Sequence, residues 1–300
     1  MTAPDGTAMP GVMIGVDVGG TTVRAARVDD LGRIAARRAF PSHAEEASLP
    51  ADEAFEQFIF RLVGAIRELL GGGAGATGGC VVGIAVPGPV DTVTGTVRRC
   101  TNLSFLNGRT PGVVIAARTG AEVALMTDIA AAARAEQVAI GAESGRFGHL
   151  RFGTGIGYVE FEGATAIELF RDGDAHLEVL RAGSAFTYPC ICGLSGCLEA
   201  YLPSSWHDEE RRNWSAEAAA AFETVVFRLR QRLGGEGVLV IGGGRSTADR
   251  HLAQRIDGLA AEGEMPGQAR VRRAVCGDDA GVLGAASVAR GMLEPRCARL

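Results

Sequence analysis

The sequence predicts an α/β protein built from two related lobes. Apolar runs of strand length alternate with segments of helical periodicity along the 300 residues, and 47% of the residues are hydrophobic, enough for two cores. A glycine turn follows a predicted strand in each half of the chain, at residues 19–20 and 153–157. This repetition suggests two lobes that face a shared cleft, with residues 12–128 in the first lobe and 129–291 in the second.

The first lobe is predicted to begin with a three-strand meander. Residues 12–18 form a continuous apolar run, and the turn at residues 29–32 separates two further strands. Residues 52–70 place large apolar side chains along one helix face, with Asp52 and Glu53 in the first turn. In order, we predict strands at 12–18, 22–28 and 34–39, a helix at 52–70, a strand at 81–86, a helix at 112–119, a strand at 122–126 and a helix at 129–139.

The second lobe is predicted to start near Arg146. A strand at 150–152 runs into the 153–157 turn, and residues 158–161 form its antiparallel return. Ser215 suits the N-cap of a helix over 216–233, which Gly234 ends. An apolar strand at 238–241 and a helix of small residues at 281–290 complete the lobe.

Composition excludes several classes of function. Lysine is absent and all 30 basic residues are arginine, so neither a Schiff-base lysine nor a P-loop lysine is available. The net charge of −5 and the lack of a basic stripe argue against nucleic acid as a partner. No apolar run is long enough to span a bilayer, and residues 1–10 lack the pattern of a secretory signal. We therefore expect a soluble, cytoplasmic protein.

Three cysteines have the spacing of metal ligands. Cys190, Cys192 and Cys197 form a C-x-C-x4-C pattern among glycines, and His176 lies fourteen residues before the first of them. Three thiolates and an imidazole can close a tetrahedral site around one Zn²⁺, so we predict a structural zinc loop over residues 176–199. A disulfide framework is the competing hypothesis, but the count of seven cysteines is odd. The remaining cysteines are single and typical of small core residues: Cys80, Cys100, Cys276 and Cys297.

Both glycine turns are candidate phosphate sites, because glycine lets backbone N–H groups approach an anion and threonine hydroxyls add donors. Asp17, at the end of the first strand, could hold Mg²⁺ directly or through water. A tight hairpin with a buried aspartate is the alternative for the first turn. Neither turn opens a helix as a Rossmann glycine motif does. The candidate residues are Gly19, Gly20, Thr21 and Thr22 in the first turn and Gly153, Thr154, Gly155 and Gly157 in the second.

Together these motifs resemble the ROK family of sugar kinases, within the larger actin-like, hexokinase and Hsp70 ATPase fold. The resemblance implies a two-lobed, ribonuclease H-like ATPase fold, ATP and Mg²⁺ as cofactors, structural Zn²⁺, a small-molecule sugar substrate and a homodimer. It spans residues 13–291 and includes the 17–22 loop, Pro87-Gly88-Pro89-Val90-Asp91, Thr101-Asn102-Leu103, Asp128 with the alanines after it, the 153–157 turn, the cysteine motif with Leu198-Glu199, and the segments 242–244 and 277–281.

The resemblance also implies roles for single residues. Asp128 matches the catalytic aspartate of the family, which accepts the proton of the sugar hydroxyl; a simple helix N-cap is the alternative. His176 resembles the histidine that binds zinc with one ring nitrogen and sugar with the other. Glu199 resembles a carboxylate that binds the hydroxyls near C1 and C2 of the sugar. The implied sugar-side residues are Asn102, Thr127, Asp128, His176 and Glu199, and Gly242 and Gly243 join the ATP side.

This sequence departs from the family at positions that the resemblance assigns to sugar recognition. Thr127 stands where the family usually has Asn, and Gly173 replaces a Glu three residues before the zinc histidine. Carboxylates at Asp172, Asp174 and Glu178 could pair with an ammonium group, although an acidic surface loop would explain them too. An amino-hexose such as kanosamine, phosphorylated by ATP on its 6-hydroxyl, is the leading hypothesis. Glucose and N-acylmannosamine are the alternatives.

A non-catalytic sugar-binding regulator is the competing class of function. The repressors of the family carry an N-terminal winged-helix domain, and about a dozen residues precede the first predicted strand here. We therefore expect no such domain and favour the kinase. A sugar binder that has lost catalysis is a third hypothesis, because the segment between Glu199 and Val238 is shorter than usual for the family.

Overall fold

The computed structural model describes residues 12–42, 49–71, 80–100, 102–167, 178–190, 192–203 and 214–293. This part of the chain forms two compact units. The first unit contains the described residues up to Ala135 together with those from Asp279 onward, and the second unit runs from Glu136 to Asp278. None of the described helices combines the length and the apolar character that crossing a membrane requires.

A five-stranded sheet forms the centre of the first unit, in the order β3-β2-β1-β4-β7. The strands β1, β2 and β3 are antiparallel to one another, whereas β4 and β7 run parallel to β1. β4 is buried along its whole length, as expected for a parallel strand covered on both faces. The strands in chain order are β1 (Met13–Val18), β2 (Thr22–Val28), β3 (Ile34–Pro41), β4 (Val81–Val86), β5 (Val90–Asp91), β6 (Thr96–Val97) and β7 (Glu122–Thr127).

Among the described residues, four α-helices accompany this sheet: α1 (Ala51–Leu70), α2 (Pro111–Thr119), α3 (Asp128–Ala139), whose last residues belong to the second unit, and α8 (Ala280–Leu293). The apolar face predicted for α1 is confirmed, because every large side chain on it is buried in the core with β1 and β4. Gly71 ends α1 in the left-handed conformation, with a φ of 88°.

Helix α8 packs closely on β1 and β4. A Cβ placed on Gly83 would lie 1.8 Å from the carbonyl oxygen of Ala285, and one on Gly15 would lie 2.0 Å from that of Val282. The predicted boundary at residues 128/129 assigns this helix to the second lobe, but the structure places it in the first unit. Because Gly15 in β1 and Gly83 in β4 have no side chain, the backbone of α8 can approach the sheet closely.

We expect the substitution Gly83→Ala to destabilise the protein by about 3 kcal/mol, since the new methyl group would meet backbone that cannot move aside easily. Chemical denaturation of the full chain measures the effect. Gly64→Ala is the matched control, because Gly64 lies within α1 and has no atom within 4 Å of its Cβ position. That change should stabilise the helix by about 0.5–1 kcal/mol. Equal stability of the two variants would contradict the close packing of α8.

The second unit repeats the strand arrangement of the first. Its sheet has the order β10-β9-β8-β11-β12, with the first three strands antiparallel and the last two parallel to β8. The predicted fold class, two related α/β lobes, is therefore confirmed. Its strands are β8 (Arg146–Phe152), β9 (Ile156–Glu162), β10 (Thr165–Ile167), β11 (Val238–Gly242) and β12 (Arg270–Arg273), and its helices are α4 (Leu198–Tyr201), α5 (Ala216–Leu233), α6 (Arg245–Ala248) and α7 (Arg250–Ala261).

Candidate functional site

In the first unit, the parallel strands β1, β4 and β7 end at the same edge of the sheet, because β4 pairs in register with both of its neighbours. Asp17 lies at the end of β1, and Asp128 follows β7 directly as the first residue of α3. Open α/β sheets bind their ligands at the carboxyl ends of parallel strands. Two predicted site residues from distant parts of the sequence therefore share the edge where a ligand is expected.

The β1–β2 turn is compact and touches a second predicted residue. The backbone N–H of Gly19 donates to the carbonyl of Thr22 at 3.0 Å, while Thr21 is exposed at the tip. A Cβ on Gly20 would lie 2.9 Å from the amide nitrogen of Asn102, so the asparagine side chain lies directly against the turn. The structure thus brings Asn102 to the predicted phosphate turn.

Asp17 lies against the first turn of α8. A Cβ on Gly281 would be 2.5 Å from the Asp17 carboxyl carbon, so only glycine fits beside this side chain. The positive end of the helix dipole favours negative charge here, and Arg24 on the neighbouring strand lies 3.9 Å from the carboxylate. A carboxylate oxygen at a strand end is the type of ligand that Mg²⁺ takes in proteins. The Asp17 carboxylate is therefore suited to binding Mg²⁺.

At the start of α3, the residue that caps the helix is not Asp128, the residue expected to be catalytic. The hydroxyl of Thr127 accepts the backbone N–H of Ala130 at 3.2 Å, which is the usual capping bond of a helix N-terminus. Asp128 itself accepts a local bond from the N–H of Ile129 at 2.9 Å. Because Thr127 makes the capping bond, capping by Asp128 is not needed to begin the helix.

The loop that carries Asn102 is also close to Asp128. Cys100 is 1% exposed, and its thiol lies close to the backbone N–H groups of Leu103 and Asn102. Burial raises the pKa of the Cys100 thiol, and the negative charge of Asp128 adds to this rise. The first unit therefore gathers Gly20, Asn102 and Asp128 in one region.

In the second unit, the β8–β9 turn contacts Glu199. Gly153 donates its backbone N–H to the carbonyl of Gly155 at 2.9 Å, which closes the turn. The carboxylate of Glu199 accepts the N–H of Ile156 at 3.1 Å and lies 3.4 Å from the Cβ position of Gly155. Glu199, which the resemblance puts on the sugar side, thus lies beside the predicted phosphate turn of the same unit.

The glycines at the end of β11 lie next to the same turn. Gly243 has a φ of 93°, and a Cβ on it would be 2.3 Å from the carbonyl oxygen of Phe152. Phe152 is the last residue of β8, directly before Gly153. Two of the glycine segments predicted to bind ATP are therefore adjacent in space, although almost ninety residues separate them in sequence.

The three cysteines of the predicted zinc loop lie together. Their sulfur atoms are all within 4.8 Å of one another, and the Cys192 and Cys197 sulfurs are 3.6 Å apart. Gly193 and Gly196 turn the chain with φ values of 86° and 77°, conformations that residues with side chains rarely adopt. The loop closes through a bond of 2.7 Å from the N–H of Cys190 to the carbonyl of Leu194.

The chemistry of these thiols fits zinc. The separation of 3.6 Å between the Cys192 and Cys197 sulfurs is much longer than a disulfide bond, and none of the three clustered cysteines forms a disulfide. Burial raises the pKa of Cys197 to about 12 and also raises that of Cys190, so neighbouring thiolates would not persist without a cation. A divalent metal that prefers sulfur would supply that charge, and its binding would remove the thiol protons. His176, with Asp172, Gly173 and Asp174, lies outside the described residues.

One polar residue in the sheet of the second unit was not predicted from the sequence. His149 lies in the middle of β8, is 2% exposed, and among the described residues neither of its ring nitrogens has a hydrogen-bond partner. Burial lowers its pKa to about 3, helped by the positive charge of Arg151. The only sequence signal was a polar pair, His149 and Arg151, alternating with apolar residues in a buried strand.

Solved structures of the same fold resemble the chain over nearly its whole length. The ROK hexokinase from Thermus thermophilus matches with a TM-score of 0.65 at 24% identity, over 94% of this chain and 99% of that chain. The ROK family glucokinase from Streptomyces griseus, in complex with glucose and AMPPNP, matches with a TM-score of 0.60 at 23% identity, over 94% and 100%. A ROK family transcriptional regulator, a homologue of the E. coli MLC protein, matches with a TM-score of 0.65 at 16% identity, over 96% and 80%.

At such identities these likenesses show the fold alone. No curated protein matches the chain. The sequence itself matches the ROK family over residues 13–231, a segment that includes the β1–β2 turn, Asp128, the β8–β9 turn and all three clustered cysteines. The resemblance inferred from the motifs is thereby confirmed, and the chain belongs to the ROK family.

Proposed function

We propose that the protein is an ATP-dependent sugar kinase that phosphorylates the 6-hydroxyl of a hexose or amino-hexose. The observation that carries this proposal is the position of Asp128 at the sheet edge that also holds Asp17 and the β1–β2 turn, with Asn102 against that turn. Phosphoryl transfer requires a carboxylate that acts as a base, an oxygen ligand for the metal and a backbone turn that can bind phosphate.

Asp128 serves as the general base in this proposal. It accepts the proton of the sugar hydroxyl as the hydroxyl oxygen forms a bond to the γ-phosphorus, while the bond from that phosphorus to the bridging oxygen of ADP breaks. Bound Mg²⁺ would neutralise charge on the phosphates, and Asp17 is the residue suited to holding it. The nucleotide is bound and oriented by the backbone N–H groups of the two glycine turns. The hydroxyls of Thr21, Thr22 and Thr154 add donors, and Gly242 and Gly243 complete the nucleotide-binding set.

The cysteine loop supports the sugar side through Glu199. Cys197 directly precedes α4, and Glu199 is the second residue of that helix. A metal held by Cys190, Cys192 and Cys197 would therefore restrict the chain just before the Glu199 carboxylate. This is a positioning role for zinc rather than a direct chemical one. Asn102, Thr127 and His176 complete the proposed set of sugar contacts.

The substrate is proposed to carry an amine. The chemical argument comes from Asp172 and Asp174, since a partly buried ammonium group needs a neighbouring negative charge. Glu178 is a third carboxylate nearby in the sequence. Asp172 and Asp174 lie outside the described residues. Kanosamine has this chemistry, whereas glucose and N-acylmannosamine do not offer a free amine. A free amine therefore distinguishes the leading hypothesis from its alternatives.

A panel of phosphate acceptors tests the proposal. The full chain with MgATP is expected to release ADP in the presence of a hexose, and kcat/KM should be highest for kanosamine among kanosamine, glucosamine, glucose and N-acetylmannosamine. Phosphorus NMR of the product identifies the modified hydroxyl. A preference for glucose would overturn the amino-sugar hypothesis and leave the kinase intact, whereas no sugar-dependent ADP release with any acceptor would favour the regulator that the third structural likeness suggests.

A further inference from the structure

An open cavity lies in the second unit, beside the C-terminal half of α5. Its volume is about 370 Å³. Two arginines and one amide side chain line it together with two apolar residues: Val179, Arg228, Leu229, Gln231 and Arg232. Within the described part of the chain, this lining includes no carboxylate. Because the whole chain has a net charge of −5, the cavity concentrates charge of the opposite sign to that of the protein.

Other residues hold the two arginines in place. Arg232 donates from Nε to the carboxylate of Glu160 at 2.6 Å, and Glu160 is fully buried in β9. Arg228 donates from Nη1 to the backbone carbonyl of Arg181 at 2.6 Å. Each of these bonds uses one nitrogen of a guanidinium group that has five N–H donors. Both arginines are therefore oriented while they keep donors for a ligand.

The two arginines carry more positive charge than their surroundings neutralise. They are four residues apart in α5, so their side chains lie on the same face of the helix, where like charges repel each other. Glu160 does not balance both, because its second carboxylate oxygen accepts a bond of 2.6 Å from Arg146. One buried carboxylate thus serves two arginines, and Arg228 is paired with a neutral carbonyl. An anion in the cavity would relieve this excess.

Stabilisation of the C-terminus of α5 does not account for this pair. Cations favour a helix C-terminus because they interact with the carbonyl groups of its last turn. Here the carbonyl of Arg230 accepts the backbone N–H of Ala269 at 3.0 Å, and that of Arg232 accepts Nη1 of Arg146 at 3.0 Å. Arg228 lies before the last turn. These carbonyls therefore have other donors, and Arg228 is too early in the helix to serve them.

We propose that this cavity binds the phosphate group of a small molecule, at a site separate from the nucleotide-binding turns. A guanidinium fork matches two phosphate oxygens, the Gln231 amide adds a donor, and Val179 and Leu229 supply an apolar wall. A cavity lined by charge of one sign also raises the local concentration of an oppositely charged ligand. The expected ligand is a sugar phosphate or inorganic phosphate, and the choice of a sugar phosphate rests on the proposed function, whose product it is.

The location separates this site from the donor and connects it to the cysteine loop. Arg146, which contacts Arg232, begins β8, and the β8–β9 turn follows the far end of that strand, about 20 Å away. Arg181, the partner of Arg228, pairs as an isolated β-bridge with Cys197. A phosphate bound to Arg228 would therefore restrain the segment that pairs with Cys197, directly before α4.

Binding measurements with the full chain test the site. Isothermal titration compares inorganic phosphate and glucose 6-phosphate, each with and without MgAMPPNP to occupy the nucleotide site. Arg228→Gln is expected to raise the Kd for both compounds by about 10- to 100-fold, the usual effect of losing a charged hydrogen bond, whether or not MgAMPPNP is present. Tighter binding of glucose 6-phosphate identifies a sugar phosphate as the ligand, and equal or tighter binding of inorganic phosphate identifies the free ion.

Amide hydrogen exchange locates the bound phosphate. Adding either compound to the wild type should slow exchange in peptides that contain residues 179–182, and Arg228→Gln should lose this protection. Protection confined to peptides of the two glycine turns would assign the phosphate to the nucleotide site and overturn the proposal.

Arg228 is the better position to change, because Arg232 also pairs with the buried Glu160 and its loss would disturb the core. Arg270→Gln is the matched control, since Arg270 belongs to the same unit and its ion pair with Glu264 is on the surface. It should alter neither Kd. A wild type that binds neither compound, or equal Kd values for wild type and Arg228→Gln, would overturn the site. Arg228-dependent binding by a protein that phosphorylates no sugar would instead overturn the proposed function and keep the site.

Discussion

Asp128→Asn is expected to lower kcat for sugar phosphorylation by about 10²- to 10⁴-fold, the usual contribution of a positioned general base, while changing the KM for ATP little. Asparagine has nearly the same shape but cannot accept the proton that leaves the sugar hydroxyl. The fold should survive the change, because the capping bond of α3 comes from Thr127 rather than from Asp128. The loss therefore reports on chemistry rather than on folding.

Steady-state kinetics with a coupled ADP assay measure this effect, and chemical denaturation verifies that the variant is folded. Asp30→Asn makes the same chemical change at an exposed position and should retain the wild-type rate. A variant at Asp128 that keeps the full kcat would show that this carboxylate is not the base. It would also remove the main support for a kinase that uses this sheet edge.

If the cysteine cluster holds zinc as predicted, Cys197→Ser should lower the zinc content of the protein and weaken the second unit. Loss of an outer-shell partner already lowers metal affinity by about 10- to 100-fold, so loss of a direct ligand should have at least that effect. Elemental analysis of purified protein is expected to show one zinc per chain in the wild type and much less than one in the variant. Because α4 follows Cys197 directly and carries Glu199, the KM for the sugar should also rise.

Cys197 is 1% exposed, so its replacement alone could disturb the core. Cys192→Ser provides an independent test, since Cys192 is half-buried and its sulfur belongs to the same cluster. Cys80→Ser, in the first unit, is the control that should keep its zinc. Wild-type protein without zinc, or stoichiometric zinc in both cluster variants, would disprove the metal site.

Much of the fold could be predicted because its signals are local. The uninterrupted apolar run of β4 and the 3.6-residue periodicity of α1 both depend only on neighbouring residues, and both segments appear where the patterns put them. Helix α7 was missed although Asp249 caps it through the N–H groups of His251 and Leu252, because its arginines and its glutamine leave only a narrow apolar face. Strand β12 was missed because three of its four residues are arginine.

The sequence by itself determined the features that a few consecutive residues encode: the glycine turns, the thiol spacing that gathers three sulfurs, and the helix that begins at Asp128. Only the tertiary structure decided that α8 packs on the first sheet, that Glu199 lies against Gly155, and that Arg232 pairs with the buried Glu160. The physical reason is that each of these contacts joins residues far apart in the chain. Such residues become neighbours only when the strands pair in one particular register and the helices and loops pack on the resulting sheet, and no local sequence pattern specifies that arrangement.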